Sequence, residues 1–149
     1  MIIQIVGLPC TGKSFYINKF NSVKNNNVKF LDIINFSNFS NREKALKKEA
    51  LKLSSEGFYV IVESACGLNS LSSIVILCRA SKKLYARNMN RRKETFSFSY
   101  LEHIENQIIP ANYTVYSYKS FEALLTNLIQ GKNNNERASS FKNTNRQSL

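Results

Sequence analysis

The chain has 149 residues, 43% hydrophobic and 21% charged, with 21 Lys and Arg against 10 Asp and Glu for a formal charge of +11. That describes one globular unit able to bury a core. It excludes a membrane span, since no run approaches about eighteen apolar residues, and also a disulfide frame or zinc cluster, since Cys10, Cys66 and Cys78 are odd in number and far apart.

Met1 leads straight into an apolar run, so no secretory leader is expected and the three cysteines read as reduced thiols of an intracellular, cytoplasmic protein. Ile2–Val6 is continuously apolar, the pattern of a strand covered on both faces. After the octapeptide GLPCTGKS at 7–14, Tyr16, Ile17, Phe20 and Val23 recur at helical spacing. Residues 28–34 (VKFLDII) form a second predicted strand. Ser40 with Glu43 gives a capping-box pattern, opening a helix with Leu46, Ala50 and Leu53 on one stripe and Gly57 as its stop.

A third buried strand is predicted over 58–62, closed by Glu63 and Ser64, and a fourth over Ile74–Cys78. Residues 81–93 read as a helix, with Leu84, Tyr85 and Met89 on one side. Ser99 and Glu102 form the cap pattern of the next helix, striped by Leu101, Ile104 and Ile108 before Pro110. A short strand over 113–116 and a helix bearing Phe121, Leu124, Leu125 and Leu128 complete the ordered part, residues 1–130. Residues 131–149 are almost devoid of apolar side chains and are expected to be a basic, disordered tail. Alternating strands and helices predict an α/β three-layer sandwich around a mostly parallel five-stranded sheet.

The octapeptide matches G-x-x-x-x-G-K-[ST] in full through Gly7, Gly12, Lys13 and Ser14, between a buried strand and an amphipathic helix. Glycines let the backbone curl so that successive N–H groups converge on phosphate oxygens, and the helix N-terminus adds its positive dipole end. The pattern predicts a nucleotide site cradled by Gly7, Leu8, Pro9, Cys10, Thr11, Gly12, Lys13 and Ser14, with Pro9 and Cys10 shaping the loop. Lys13 would reach the β- and γ-phosphates of ATP, and the Ser14 hydroxyl would hold Mg²⁺.

Ligands of parallel α/β sheets sit at the carboxyl ends of the strands, which brings Asp32 and Glu63 toward this loop. Asp32 is the only aspartate in the chain and lies in an otherwise apolar strand. Two readings stand: a carboxylate that orients an acceptor hydroxyl and takes its proton, or a cap at the strand end. Glu43, Glu49 and Glu56 read as solvent-facing, and His103 lies off its helix's apolar stripe, as a surface residue.

From Arg79 to Lys93 there are seven Lys or Arg and no acid. Such a run is a solvated helix face or a surface that attracts phosphate-bearing partners, nucleic acid among them. Phe96 and Phe98 of ETFSFSY read as core or lid packing, with stacking on a base as the alternative.

The loop resembles that of the P-loop NTPase superfamily. VILCRASKKLYARNMNRRK narrows the resemblance to its small kinases of nucleosides, nucleotides and polynucleotide 5′-ends, and YARNMNRRKETFSFSYLEHIENQ is similar to the end of the phage-type polynucleotide kinase domain. The resemblance covers residues 1–129 and implies a kinase moving the γ-phosphoryl group of Mg·ATP to a nucleotide-like acceptor. It implies that Arg87 and Arg91, four apart on one helix face, grip phosphates from a lid, and that Glu63 stands at the magnesium-holding acid. Lys13, Asp32, Arg87 and Arg91 are then the catalytic set, and Ser14 and Glu63 the metal set. The chain departs from the family where Glu63 replaces the usual aspartate, where the short 65–73 link lacks the helix usual in polynucleotide kinases, and where no arginine closely follows Asp32. A nucleic-acid-binding ATPase or nucleotide switch, with water as its only acceptor, is the rival reading.

Overall fold

The computed structural model describes residues 1–21, 27–36, 41–93 and 95–131. Five strands form one sheet: β1 (Ile2–Val6), β2 (Val28–Asp32), β3 (Tyr59–Glu63), β4 (Ile74–Cys78) and β5 (Tyr113–Val115). Their order is β2-β3-β1-β4-β5 and every pair is parallel, so the sheet is wholly rather than mostly parallel. The helices are α1 (Lys13–Asn21), α2 (Arg42–Ser55), α3 (Lys82–Arg92), α4 (Phe98–Gln107) and α5 (Tyr118–Gln130). Among the described residues no helix is long and apolar enough to cross a membrane.

Strand β1 is central because both its faces are apolar and both are covered. Ile3 and Ile5 turn to one side and pack with Tyr16, Ile17 and Phe20 of α1 and with Phe121, Leu124 and Leu125 of α5. Ile2 turns to the other side with Val60, Val62 and the α2 residues Leu46 and Ala50, while Val6 joins Val75, Leu77 and Ala111. Helices therefore cover both faces of the sheet, in three layers.

Gln4 interrupts the apolar run yet is fully buried. Its side-chain amide donates to Leu68 O (3.1 Å) and Ser73 Oγ (2.9 Å), and its Oε1 accepts from Leu68 N (2.7 Å). A buried amide so satisfied fixes the course of the helix-free 64–73 link beside the strand ends.

Three expected boundaries shift. The second strand stops at Asp32 instead of running to Ile34, because the Asp32 carboxylate accepts from Ile34 N (3.1 Å) and starts a single 3₁₀ turn over Ile33–Asn35. The cap of α4 is Ser97, not Ser99: the Ser97 hydroxyl accepts from Tyr100 N at 3.2 Å, which starts the helix earlier. The cap position of α2 is Asn41, with no side-chain cap bond. Ser40, Val23 and the expected tail over 132–149 lie outside the described residues.

Candidate functional site

The site is built around the turn from β1 to α1. Gly7 adopts φ +150 and Gly12 φ +100, conformations closed to most side chains. A Cβ on Gly7 would stand 2.5 Å from the Cys78 carbonyl oxygen, so only glycine lets the loop pass the end of β4. Cys10 also takes positive φ, 66°. Inside the loop Thr11 Oγ1 donates to Leu8 O at 2.8 Å, and Gly7 N donates to Ala65 O, tying the loop to the segment after β3. The first N–H groups of α1 have no partner within the helix and form its positive end.

The Lys13 ammonium lies within the loop, donating to Gly7 O (2.7 Å) and Leu8 O (2.9 Å). Burial lowers its pKa; Cys78 and Glu63 oppose that shift and Arg92 adds to it. Ser14 Oγ sits 3.2 and 3.1 Å from the two oxygens of Glu63 at the end of β3. Glu63 pairs in register with Asp32 on β2. Burial holds the Glu63 carboxyl above its ordinary range, with the Asp32 charge next in importance; Ser14 and Lys13 pull the other way. Two carboxylates and a hydroxyl are thus gathered beside a lysine. Among the described residues no group of three or more His, Cys, Asp or Glu could hold a metal ion alone.

On the other side of Lys13 a cavity of about 680 Å³ opens, walled by the loop (Pro9, Cys10, Gly12, Lys13, Ser14), by α3, and by Tyr116, Ser117 and Tyr118 ahead of α5. Arg87 and Arg91 line it, as do Leu84, Asn88 and Arg92. Helix α3 carries no buried residue and is held against the loop by polar contacts: Asn88 Nδ2 donates to Cys10 O (2.9 Å), and Arg92 Nη1 approaches Cys10 Sγ (3.6 Å).

A smaller cavity of about 140 Å³ lies beside Leu8 and Thr11, with Arg79, Lys82 and Tyr85 in its wall. The Arg79 Nε and Tyr85 hydroxyl have no partner among the described residues, while another nitrogen of Arg79 pairs with Glu105.

Lys13, Ser14, Glu63 and Asp32 therefore meet at one strand edge, and Arg87 and Arg91 meet Lys13 across the larger cavity. Asp32 does not line that cavity and spends one oxygen on its cap. Asn88, Arg92 and the Tyr116–Tyr118 wall were missed from sequence. The spacing of Asn88 and Arg92, four apart like Arg87 and Arg91, was the available signal. His103 is exposed, as expected, and meets Gln107 at 3.1 Å. The packing expected for Phe98 is overturned: it is 81% exposed because α4 turns Ile104 inward instead.

No family model matches the chain, and no curated protein matches it by sequence. Among solved structures 34 chains match. An unliganded sugar kinase from Janibacter sp. HTCC2649 aligns with a TM-score of 0.66 at 8% identity, over 87% of this chain and 94% of its own. Shikimate kinase from Aquifex aeolicus vf5 gives 0.53 at 14%, over 88% and 97%. A chain of the Pnkp1/Rnl/Hen1 RNA repair complex gives 0.53 at 18% over 72% of this chain, which spans only 42% of that one. At these identities the likeness is one of fold: an all-parallel α/β sheet of the P-loop kinase-like kind.

Proposed function

We propose that this chain is an ATP-dependent phosphotransferase that moves the γ-phosphoryl group to a hydroxyl of a nucleotide-like acceptor: a nucleoside, a nucleotide or a polynucleotide 5′-end. The observation that carries the reading is the seating of Ser14 against Glu63 beside a half-buried Lys13, on a complete G-x-x-x-x-G-K-S loop. Residues 1–130 would form the nucleotide-binding unit, with 131–149 as a basic tail beyond it. Three free thiols at Cys10, Cys66 and Cys78 favour a reducing, intracellular setting.

In this reading the loop from Gly7 to Ser14 cradles the phosphates of ATP, and the larger cavity receives the rest of the donor. Lys13 exchanges the Gly7 and Leu8 carbonyls for phosphate oxygens, a swap of like acceptors. Ser14 and Glu63, with Asp32 behind, present the hard oxygen donors that suit Mg²⁺, an ion that keeps most of its waters and takes few protein ligands. Bound there, the ion would neutralise charge on the phosphates.

Asp32 orients the acceptor hydroxyl. The acceptor's hydroxyl oxygen would form the new bond to the γ-phosphorus as the bond to the bridging oxygen breaks, ADP would leave, and the hydroxyl proton would pass to Asp32. Arg87 and Arg91 balance the charge on the group in flight.

One observation favours the rival, an ATPase with water as acceptor: an Asp32 oxygen is already engaged by Ile34 N. Incubation with γ-labelled ATP and a panel of nucleosides, nucleotides and 5′-hydroxyl oligonucleotides separates the two. Label in an acceptor supports the kinase. Label only in inorganic phosphate, more of it when nucleic acid is added, supports the ATPase. No release from a folded, ATP-binding protein overturns both.

A further inference from the structure

Apart from Arg87 and Arg91, which the proposed transfer uses, two features lie next to each other in the chain: the remaining charge of α3 and the bare rings that open α4. Lys82, Lys83, Arg87, Arg91, Arg92 and Lys93 are all exposed. Arg79, at the start of the run, is paired with Glu105 of α4. Three residues past Lys93 comes Phe96, whose ring stacks on Tyr100 with centroids 5.6 Å apart and planes 17° from parallel. Phe98 between them is 81% exposed and Tyr100 47%. Three chain steps span no more than about 11 Å, so the rings lie within reach of the cations at the end of α3.

The rings are held rather than loose. The Ser97 cap fixes the first turn of α4, and Ile104, buried one to two turns on, anchors the helix to the body. Exposed aromatic faces beside a strongly basic helix match single-stranded nucleic acid, in which a phosphate chain alternates with bases free to stack. A protein partner would prefer apolar side chains to so many cations at the rim, and a duplex hides its base faces.

We infer that the start of α4, with the basic face of α3, is a docking platform for single-stranded nucleic acid. Phe98 and the Phe96–Tyr100 stack take bases, and Lys82, Lys83 and Lys93 take phosphates. The inference requires neither ATP nor transfer. It deepens the proposed function only if the docked strand is also the acceptor.

The test is anisotropy of a fluorescent single strand of about twelve thymidines with the full chain and no nucleotide. Affinity should fall steeply between about 50 and 200 mM salt. Lys82→Ala with Lys83→Ala should flatten that dependence. Phe98→Ala and Tyr100→Ala, at exposed positions that do not threaten the fold, should each weaken binding roughly fivefold or more at unchanged salt slope. The platform is overturned if the ring variants bind like wild type, or if a duplex of equal length binds as tightly as the single strand. It is equally overturned if sedimentation shows a dimer that Phe98→Ala dissociates while strand affinity stays constant. Loss of ATP-dependent transfer with strand binding intact would count against the kinase alone.

Discussion

Ser14 Oγ lies 3.2 and 3.1 Å from the two carboxylate oxygens of Glu63, joining the first turn of α1 to the end of β3 across 49 positions of sequence. The contact favours the ionised carboxylate but does not offset burial and the neighbouring Asp32, which together hold the Glu63 pKa above its ordinary value of 4.5. The folded chain then binds more protons than the unfolded one in a window that opens near 4.5 and extends upward. Stability from this group is greatest below the window and is lost as pH rises through it. Glu63→Gln should remove that slope, so thermal midpoints between about pH 4 and pH 7 should fall less for the variant than for wild type. Mg²⁺ with ATP should raise the midpoint of wild type more than that of the variant. Parallel curves in both experiments would leave Glu63 a mere strand-end residue.

Lys13 offers the sharpest separation of fold from ligand. Its half-buried ammonium donates to Gly7 O and Leu8 O in the loop. Lys13→Ala should leave the core, which lies under α1 and α5, as it is. It should remove most ATP affinity, read by calorimetric titration of a variant whose circular dichroism is unchanged. An unaltered titration would end the nucleotide reading of the loop.

What was legible in the sequence was what is local. The phosphate loop is eight contiguous residues whose spacing carries its chemistry, and the buried strands announce themselves as short apolar runs. Strand order was not legible, because each run pairs with partners tens of residues away. Nor was the face that α3 turns to the loop: Arg87 and Arg91 share spacing with Asn88 and Arg92, and only the fold shows Asn88 reaching Cys10 over 78 positions. The α4 start was misread because Ser99 fits the Ser-x-x-Glu pattern while Ser97, with Tyr100 third in line, needs only its hydroxyl to cap. Phe98 was assigned to packing on hydrophobicity alone, which says nothing about which way a helix faces.

The arginines of α3 should divide by function. Arg87 and Arg91 line the larger cavity and are exposed. Substituting either by alanine should leave folding and ATP affinity nearly intact while kcat falls on the order of 10²-fold or more, the signature of charges needed mainly in transit. Asn88→Ala, which frees the Cys10 carbonyl, should instead weaken ATP binding by loosening the loop. Full turnover in both arginine variants would mark α3 as a surface used for docking alone.

Asp32 decides between transfer and hydrolysis. Its carboxylate caps the turn after β2 through Ile34 N, and it stands in register beside Glu63, whose ionisation it disfavours. An asparagine keeps both size and an oxygen for Ile34 N, so Asp32→Asn should fold normally. Removing the charge should let Glu63 titrate closer to its ordinary range, and ATP with Mg²⁺ should bind as well as to wild type or better. If Asp32 takes the acceptor proton, transfer should fall by roughly 10²–10⁴-fold, the span of a positioned general base. If Asp32 serves only as a cap, transfer should be unchanged in Asp32→Asn, while Asp32→Ala, which removes the acceptor for Ile34 N, should lower the thermal midpoint. Measuring labelled acceptor, ATP affinity and thermal midpoint on both variants therefore assigns the carboxylate to chemistry or to folding. A normal rate in Asp32→Asn would move the acceptor site away from the β2 edge altogether.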